Sequence, residues 1–185
     1  MSKYGKPGMK KIITLSLLLL MSISQTRADF NDGVVAYIMG DYDAAYNTMI
    51  SLAKTNESDP LPQYYLGVMY MKGQGVEQDY EEASKWLRKA SENRLANAQY
   101  KLANLYAQGK GVPRDYEFAY IWYNVGASHK HQLSMNALDK AKSNLSKEEY
   151  NEAQKVIADY IKKYGPPPED PNQQGEIPTI PDPNS

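Results

Sequence analysis

The sequence predicts an all-α fold, an α/α superhelical solenoid of about four helical hairpins. Three observations carry this reading. First, Leu66, Tyr70, Gly73, Gly75, Val76, Asp79, Tyr80, Ala83 and Trp86 recur 36 residues later as Leu102, Tyr106, Gly109, Gly111, Val112, Asp115, Tyr116, Ala119 and Trp122. Of the 24 positions from Gln63 to Trp86, 12 are identical in the second copy, where average composition gives about one or two. A fixed period of this size marks stacked supersecondary units. Second, the apolar residues of each copy fall at helical spacing. Third, paired glycines and a following aspartate punctuate each copy, ending one helix and opening the next.

The four hairpins are expected at about 30–54, 60–93, 96–128 and 132–163. In the two clear copies the first helix runs from about Leu61 to Met71 and from about Ala96 to Gln108. Leu66, Met69 and Tyr70, like Leu102, Leu105 and Tyr106, fall at i, i+3 and i+4 on one face. Gly73-Gln74-Gly75 and Gly109-Lys110-Gly111 stop these helices, because glycine accepts the positive φ of a helix end. Val76 and Val112 are expected to turn inward. Asp79 and Asp115 then cap the second helices. Glu82 is expected to complete a capping box behind Asp79, and Glu117 to lie in a first turn where its charge suits the helix dipole. Ala83 and Ala119 mark the helix crossing.

The flanking units depart from the pattern. Gly40-Asp41-Tyr42-x-x-Ala45 repeats the helix start without the two-glycine loop, so its approach from Gly33 to Met39 must turn more tightly. Ala137-Leu138 sits one period after Lys101-Leu102, and Ser146-x-x-Glu149 is a capping box for a last helix. Terminal repeats are expected to differ because they close the stack against water.

The ends of the chain read differently. Lys10-Lys11, the apolar run Ile12 to Ile23 and Thr26-x-Ala28 follow the order of a secretory signal peptide, cleaved after Ala28, with Met9 an alternative start. The 12-residue run is shorter than the roughly 20 residues of a spanning helix, so no stable membrane insertion is expected after cleavage. Removing five basic and no acidic side chains from 21 and 22 leaves 16 against 22, a formal charge of −6. That balance argues against nucleic acid, whose binding neutralises phosphates. With no cysteine, neither a lipid anchor on sulfur nor a disulfide is available. A periplasmic or secreted protein is expected, its mature N-terminus at Asp29 by mass spectrometry; full-length protein in the membrane fraction would refute this.

From Gly165 to Ser185 the chain carries seven prolines, four acids and no base. Such a segment buries too little to offset its ordering entropy and is expected to be a disordered, partly polyproline II tail. Pro178-x-x-Pro181 also has the form of a ligand motif, which the spacer reading outweighs.

The repeat resembles the Sel1-like repeat family, a relative of the tetratricopeptide repeats. The residues carrying the resemblance are Gln63-Tyr64-x-Leu66-Gly67-x-Met69-Tyr70-x-x-Gly73-x-Gly75-Val76-x-x-Asp79-Tyr80-x-x-Ala83-x-x-Trp86-x-x-x-Ala90. The copy from Gln99 to Trp122 follows it with Ala103 for the glycine. The resemblance covers about 29–164 and is strongest over 60–128. It implies a scaffold, adaptor or regulator that binds another protein or peptide on its concave face, without a cofactor. Carried over by position, the groove residues are Phe30, Val34 and Tyr37, then Tyr64, Val68 and Met71, then Tyr100 and Asn104. Tyr64 and Tyr100 also belong to the repeat pattern, so packing is an equal reading for them. Tyr65, Tyr120 and Tyr123 are further candidates, since aromatic residues are enriched where proteins meet.

Chemistry has few candidates. His129-x-His131 has the spacing of a metal pair, but no cysteine and only scattered acids accompany it, and a solvated loop is the expected reading. Gly73-x-Gly75 lacks the preceding strand and following Lys-Ser/Thr of a phosphate loop. No catalytic, cofactor-binding or metal residue is assigned. Two rival classes remain. One is a secreted hydrolase like the β-lactamase-labelled Sel1 members, whose disulfides and Ser-x-x-Lys helix start are missing here. The other is a cell-wall glycan-binding protein, since tyrosine and tryptophan stack on sugars; 15 of the 16 tyrosines remain after the cut, but both tryptophans sit at repeat core positions.

Overall fold

The computed structural model describes residues 29–167. The segment read as a signal peptide and the tail from Pro168 lie outside the described residues. Within them are eight helices: α1 over 29–39, α2 Tyr42–Thr55, α3 Pro60–Lys72, α4 Tyr80–Glu92, α5 Ala96–Gln108, α6 Tyr116–Ser128, α7 Gln132–Ser143 and α8 Lys147–Tyr164. No strand occurs among the described residues. The expected solenoid of paired helices is the observed fold.

The local signals act as read, with one correction. Asp41 accepts from the Ala44 amide, Asp79 from those of Glu81 and Glu82, and Asp115 from that of Phe118. The box at Ser146 is complete: the Glu149 amide donates to Ser146 Oγ at 3.1 Å and the Ser146 amide to Glu149 Oε2 at 2.7 Å. The box expected at Asp79 does not form. The Asp79 amide already donates to the Tyr70 carbonyl at 3.0 Å, so Glu82 has no backbone donor to serve and pairs with Lys85 at 2.8 Å. The Asp115 amide does the same with Tyr106. This hydrogen bond ties the second helix of each clear hairpin to the end of the first.

Burial follows the repeat. Leu66, Met69, Leu87, Leu102 and Ala83 are fully buried. Gly67 lets α4 lie against α3, since a Cβ there would sit 2.6 Å from Leu87 Cγ. Val76 and Val112 pack half-buried on the core, as expected of plugs between the two helices. Gln63 reaches back to the Glu57 carbonyl at 2.6 Å and accepts from Asn93 at 3.1 Å, joining the start of α3 to the end of α4.

The two ends of the stack differ from expectation. α7 and α8 each pack on α6 far more than on each other, and α8 also touches α4. Its last carbonyl, at Tyr164, accepts from Gln99 Nε2 at 2.8 Å and lies 3.2 Å from His129 Nε2. So Gln99, the repeat equivalent of Gln63, holds the returning C-terminal helix. At the other end α1 leaves Val35, Ile38 and Met39 largely exposed, so the N-terminal edge is not sealed by the described residues.

Arg94 and Lys130, one period apart, adopt φ of 67° and 61° at the ends of α4 and α6. A side chain in this left-handed region costs about 1–2 kcal/mol. Glycine removes that cost and adds about 0.5–1 kcal/mol of chain entropy. Arg94→Gly is therefore expected to be neutral or stabilising by up to about 1 kcal/mol. A clear loss in the melting curve would mean that the arginine side chain itself holds the turn.

Candidate functional site

The first helices of successive units do not pack alike. Lys101 of α5 lies over Tyr64, with Nζ 5.8 Å from the ring centroid, and Tyr64 is completely buried. The equivalent Tyr100 is only half-buried, because α7 leans on α6 and leaves a gap beside α5. The gap is a cleft of about 530 Å³. Tyr100, Asn104, Ala107 and Gln108 of α5 form one wall. Leu133, Asn136, Ala137, Lys140 and Ala141 of α7, with its C-cap Asn144, form the other. Tyr116, Ala119 and Tyr123 of α6 make the floor.

The polar groups of the cleft are oriented. The Tyr123 hydroxyl donates to Asn104 Oδ1 at 2.7 Å. Burial, with Tyr100 beside it, pushes the Tyr123 phenol up to about 12, so it remains a donor at neutral pH. Gln132 Nε2 donates to Asn136 Oδ1 at 2.8 Å. With both side-chain carbonyls engaged, Asn104 and Asn136 offer their NH₂ groups, three-donor Lys140 adds a charge, and Asn144 donates back to the Lys140 carbonyl at 3.0 Å. The cleft thus offers donors from Asn104, Asn136 and Lys140, with the Asn144 Oδ1 and the Gln108 amide oxygen as acceptors beside them. Tyr100 stands at one end, its ring 5.9 Å from that of Tyr123 and 5.5 Å from that of His131.

The groove residues read from the sequence separate into three groups. Tyr100 and Asn104 line the cleft. Tyr64 and Val68 are closed off in the core, at 0% and 1% exposure, and no partner reaches them in this fold. Tyr37 is also buried, donating to Gln74 at 2.7 Å. Phe30, Val34 and Met71 are half-buried, with Phe30 edge-on to Tyr65. They stand on α1 and α3, away from the cleft. Of the further candidates, Tyr65 and Tyr120 are core residues, and Tyr123 is the pin beneath Asn104.

The α7 wall was missed. Its residues 133, 136, 140 and 144 follow one helical stripe and were legible as such. Without the two-glycine loop in that unit, the groove pattern had no register to extend into α7.

The histidines serve the fold. His131 Nδ1 caps α7, accepting from the Ser134 amide at 3.3 Å. Burial lowers His129 below the usual histidine range, so it is neutral and donates toward the Tyr164 carbonyl. No group of three metal-binding side chains occurs among the described residues, and none of their helices is long and apolar enough to cross a membrane.

The chain matches the Sel1 repeat over residues 63–94 and 96–131. Among solved structures it resembles a protective antigen of uropathogenic Escherichia coli with an SLR fold, at 24% identity and a TM-score of 0.71. That match covers 82% of this chain and 35% of the antigen. It also resembles a Sel1 repeat protein from Oxalobacter formigenes, at 26% identity and a TM-score of 0.57, covering 74% of this chain and 56% of that one. The chain thus spans about a third of one neighbour and just over half of the other. None of the curated proteins compared with it matches. Residues 63–94 and 96–131 are thus Sel1 repeats, set in a solenoid of the kind those two structures share.

Proposed function

We propose that this protein is an exported, non-enzymatic adaptor that holds an extended segment of a partner protein in the cleft between α5 and α7. Sel1 repeats generally mediate protein–protein interaction. The observation that carries the finer reading is the cleft itself: about 530 Å³, walled by Tyr100, Asn104, Asn136 and Lys140. Fixed side-chain amides suit the carbonyls of an extended main chain, and tyrosine faces supply anchoring area at low entropic cost. The signal-peptide order at the N-terminus supports an extracytoplasmic setting, periplasmic or secreted.

A displayed peptide library selected on the mature chain tests this. Selected peptides are expected to shift the amide resonances of Tyr100, Asn104, Asn136 and Lys140. Tyr100→Ala should weaken their binding by about tenfold or more, as loss of an aromatic anchor does, with little change in melting. Tyr64→Ala should instead cost about 3 kcal/mol of stability, the usual scale for truncating a buried aromatic. Selected peptides that shift only α1 and α3 would relocate the site. Turnover of ester, lactam or glycan substrates by the purified protein would replace the reading with an enzymatic one.

A further inference from the structure

The spacer reading of the tail does not account for how its chemistry complements the cleft. We propose that the cleft is occupied in cis by the chain's own segment 176–183, Glu-Ile-Pro-Thr-Ile-Pro-Asp-Pro, which a partner must displace. This inference rests on the reading of the α5–α7 cleft as a segment-binding site.

Four observations lead to it. The first is hydrogen-bond balance. Seven of the 21 residues from Gly165 onward are proline, each with a carbonyl acceptor and no amide donor. The cleft walls supply donors for them: the carbonyls of Asn104 and Asn136 are engaged by Tyr123 and Gln132, which leaves their NH₂ groups and the Lys140 ammonium to donate.

The second is spacing. Ile177-Pro178 and Ile180-Pro181 are three residues apart. Polyproline II has about 3 residues per turn, so both Ile-Pro pairs face the same way in that conformation. Grooves lined by aromatic side chains take such pairs. Here Tyr100 and Tyr123 supply the rings, and Leu133, 44% exposed, supplies apolar surface.

The third is charge. Glu176 and Asp182 flank the two pairs, and the tail has no basic residue. Among the described residues, the single formal charge on the cleft walls is that of Lys140.

The fourth is reach. The tail leaves the fold at the cleft's own end. Tyr164 is held by Gln99 and His129. Gln99 precedes Tyr100, and His129 is two residues before His131, whose ring meets that of Tyr100. The nine residue steps from Pro167 to Glu176 span about 28 Å in polyproline II. The α5 wall from Tyr100 to Gln108 is about 12 Å long. The segment therefore reaches any part of the cleft, at an effective concentration on the order of millimolar.

The chain has no cysteine, so Ser185→Cys creates a unique site for a nitroxide spin label in the otherwise intact mature protein. The label is expected to broaden the amide resonances of Tyr100, Asn136 and Lys140 selectively, leaving Lys85 on α4 unaffected. Combining Pro178→Ala and Pro181→Ala in the labelled chain should abolish the effect. A mixture of labelled unenriched protein with unlabelled ¹⁵N protein should show none. Absent or unselective broadening overturns the proposal, and equal broadening in the mixture assigns the cleft to the tail of a second copy instead. The full chain carrying Pro178→Ala and Pro181→Ala should also bind a library-selected peptide about tenfold tighter, because a competitor that fills the site lowers apparent affinity in proportion. If a selected peptide binds the cleft equally in both forms, the tail proposal falls while the adaptor reading stands. If the label marks the cleft but no foreign peptide binds either form, tail docking stands and the adaptor reading falls.

Discussion

Gly111→Val is expected to destabilise the protein by more than about 4 kcal/mol, lowering the melting temperature by more than about 10 °C. Two costs combine. Gly111 holds a φ of 68°, a region that costs a non-glycine residue about 1–3 kcal/mol and a β-branched one the most. The second cost is steric. A Cβ at Gly111 would run into the Tyr80 carbonyl at the first turn of α4, and backbone cannot rotate aside as a side chain can. Gly111 thus marks where the α5–α6 loop rests on the preceding unit, and valine would wedge the two units apart. Gly75 meets the Tyr42 carbonyl of α2 in the same way, at a φ of 71°. Gly109→Ala is the control. Gly109 also has positive φ, 66°, but its Cβ would stand 3.0 Å from Arg114 Cβ and 3.4 Å from the Arg114 amide nitrogen, a tight contact that needs a shift of only a few tenths of an ångström. It should cost about 1–2 kcal/mol. Equal losses for the two variants would show that φ alone matters and that the inter-unit contact contributes nothing.

Trp122→Ala is expected to cost about 4–5 kcal/mol, the upper range for truncating a buried aromatic side chain, whereas Trp86→Ala should cost less than about 2 kcal/mol. The two tryptophans occupy the same repeat position, and the sequence makes both core residues. The structure separates them. Trp122 is 1% exposed, with Phe118, Tyr160 and Tyr164 around it at centroid distances of 6.1, 5.9 and 5.4 Å. Trp86 is half-buried, with Lys89 Nζ 4.6 Å above its ring. α8 makes the difference, because it folds back over α6 and covers one tryptophan only. Loss of Trp122 should release the end of α8, which fast hydrogen exchange at Tyr164 and Gly165 would show in the variant. Similar losses at the two positions would mean that α8 adds little to the stability of the stack.

The amino-acid sequence by itself determined the repeat and most of its local grammar. Helix boundaries followed from glycine at one end and a capping aspartate at the other, since both act through backbone atoms within a few residues. The family followed from the same residues, because the two-glycine loop and the capping aspartate are spaced by one hairpin's own geometry. Two decisions were left to the tertiary structure. One was which copies of a repeated residue stay covered. Tyr64 and Tyr100, or Trp86 and Trp122, are identical in pattern and differ only in what the next helix does, and that depends on contacts many residues away. The other was the cleft. It exists because α7 and α8 both lean on α6 rather than on each other, which leaves α7 touching α5 only lightly. A local pattern cannot report such a gap, since it arises from how far apart two elements stand, and no residue in the sequence encodes that distance.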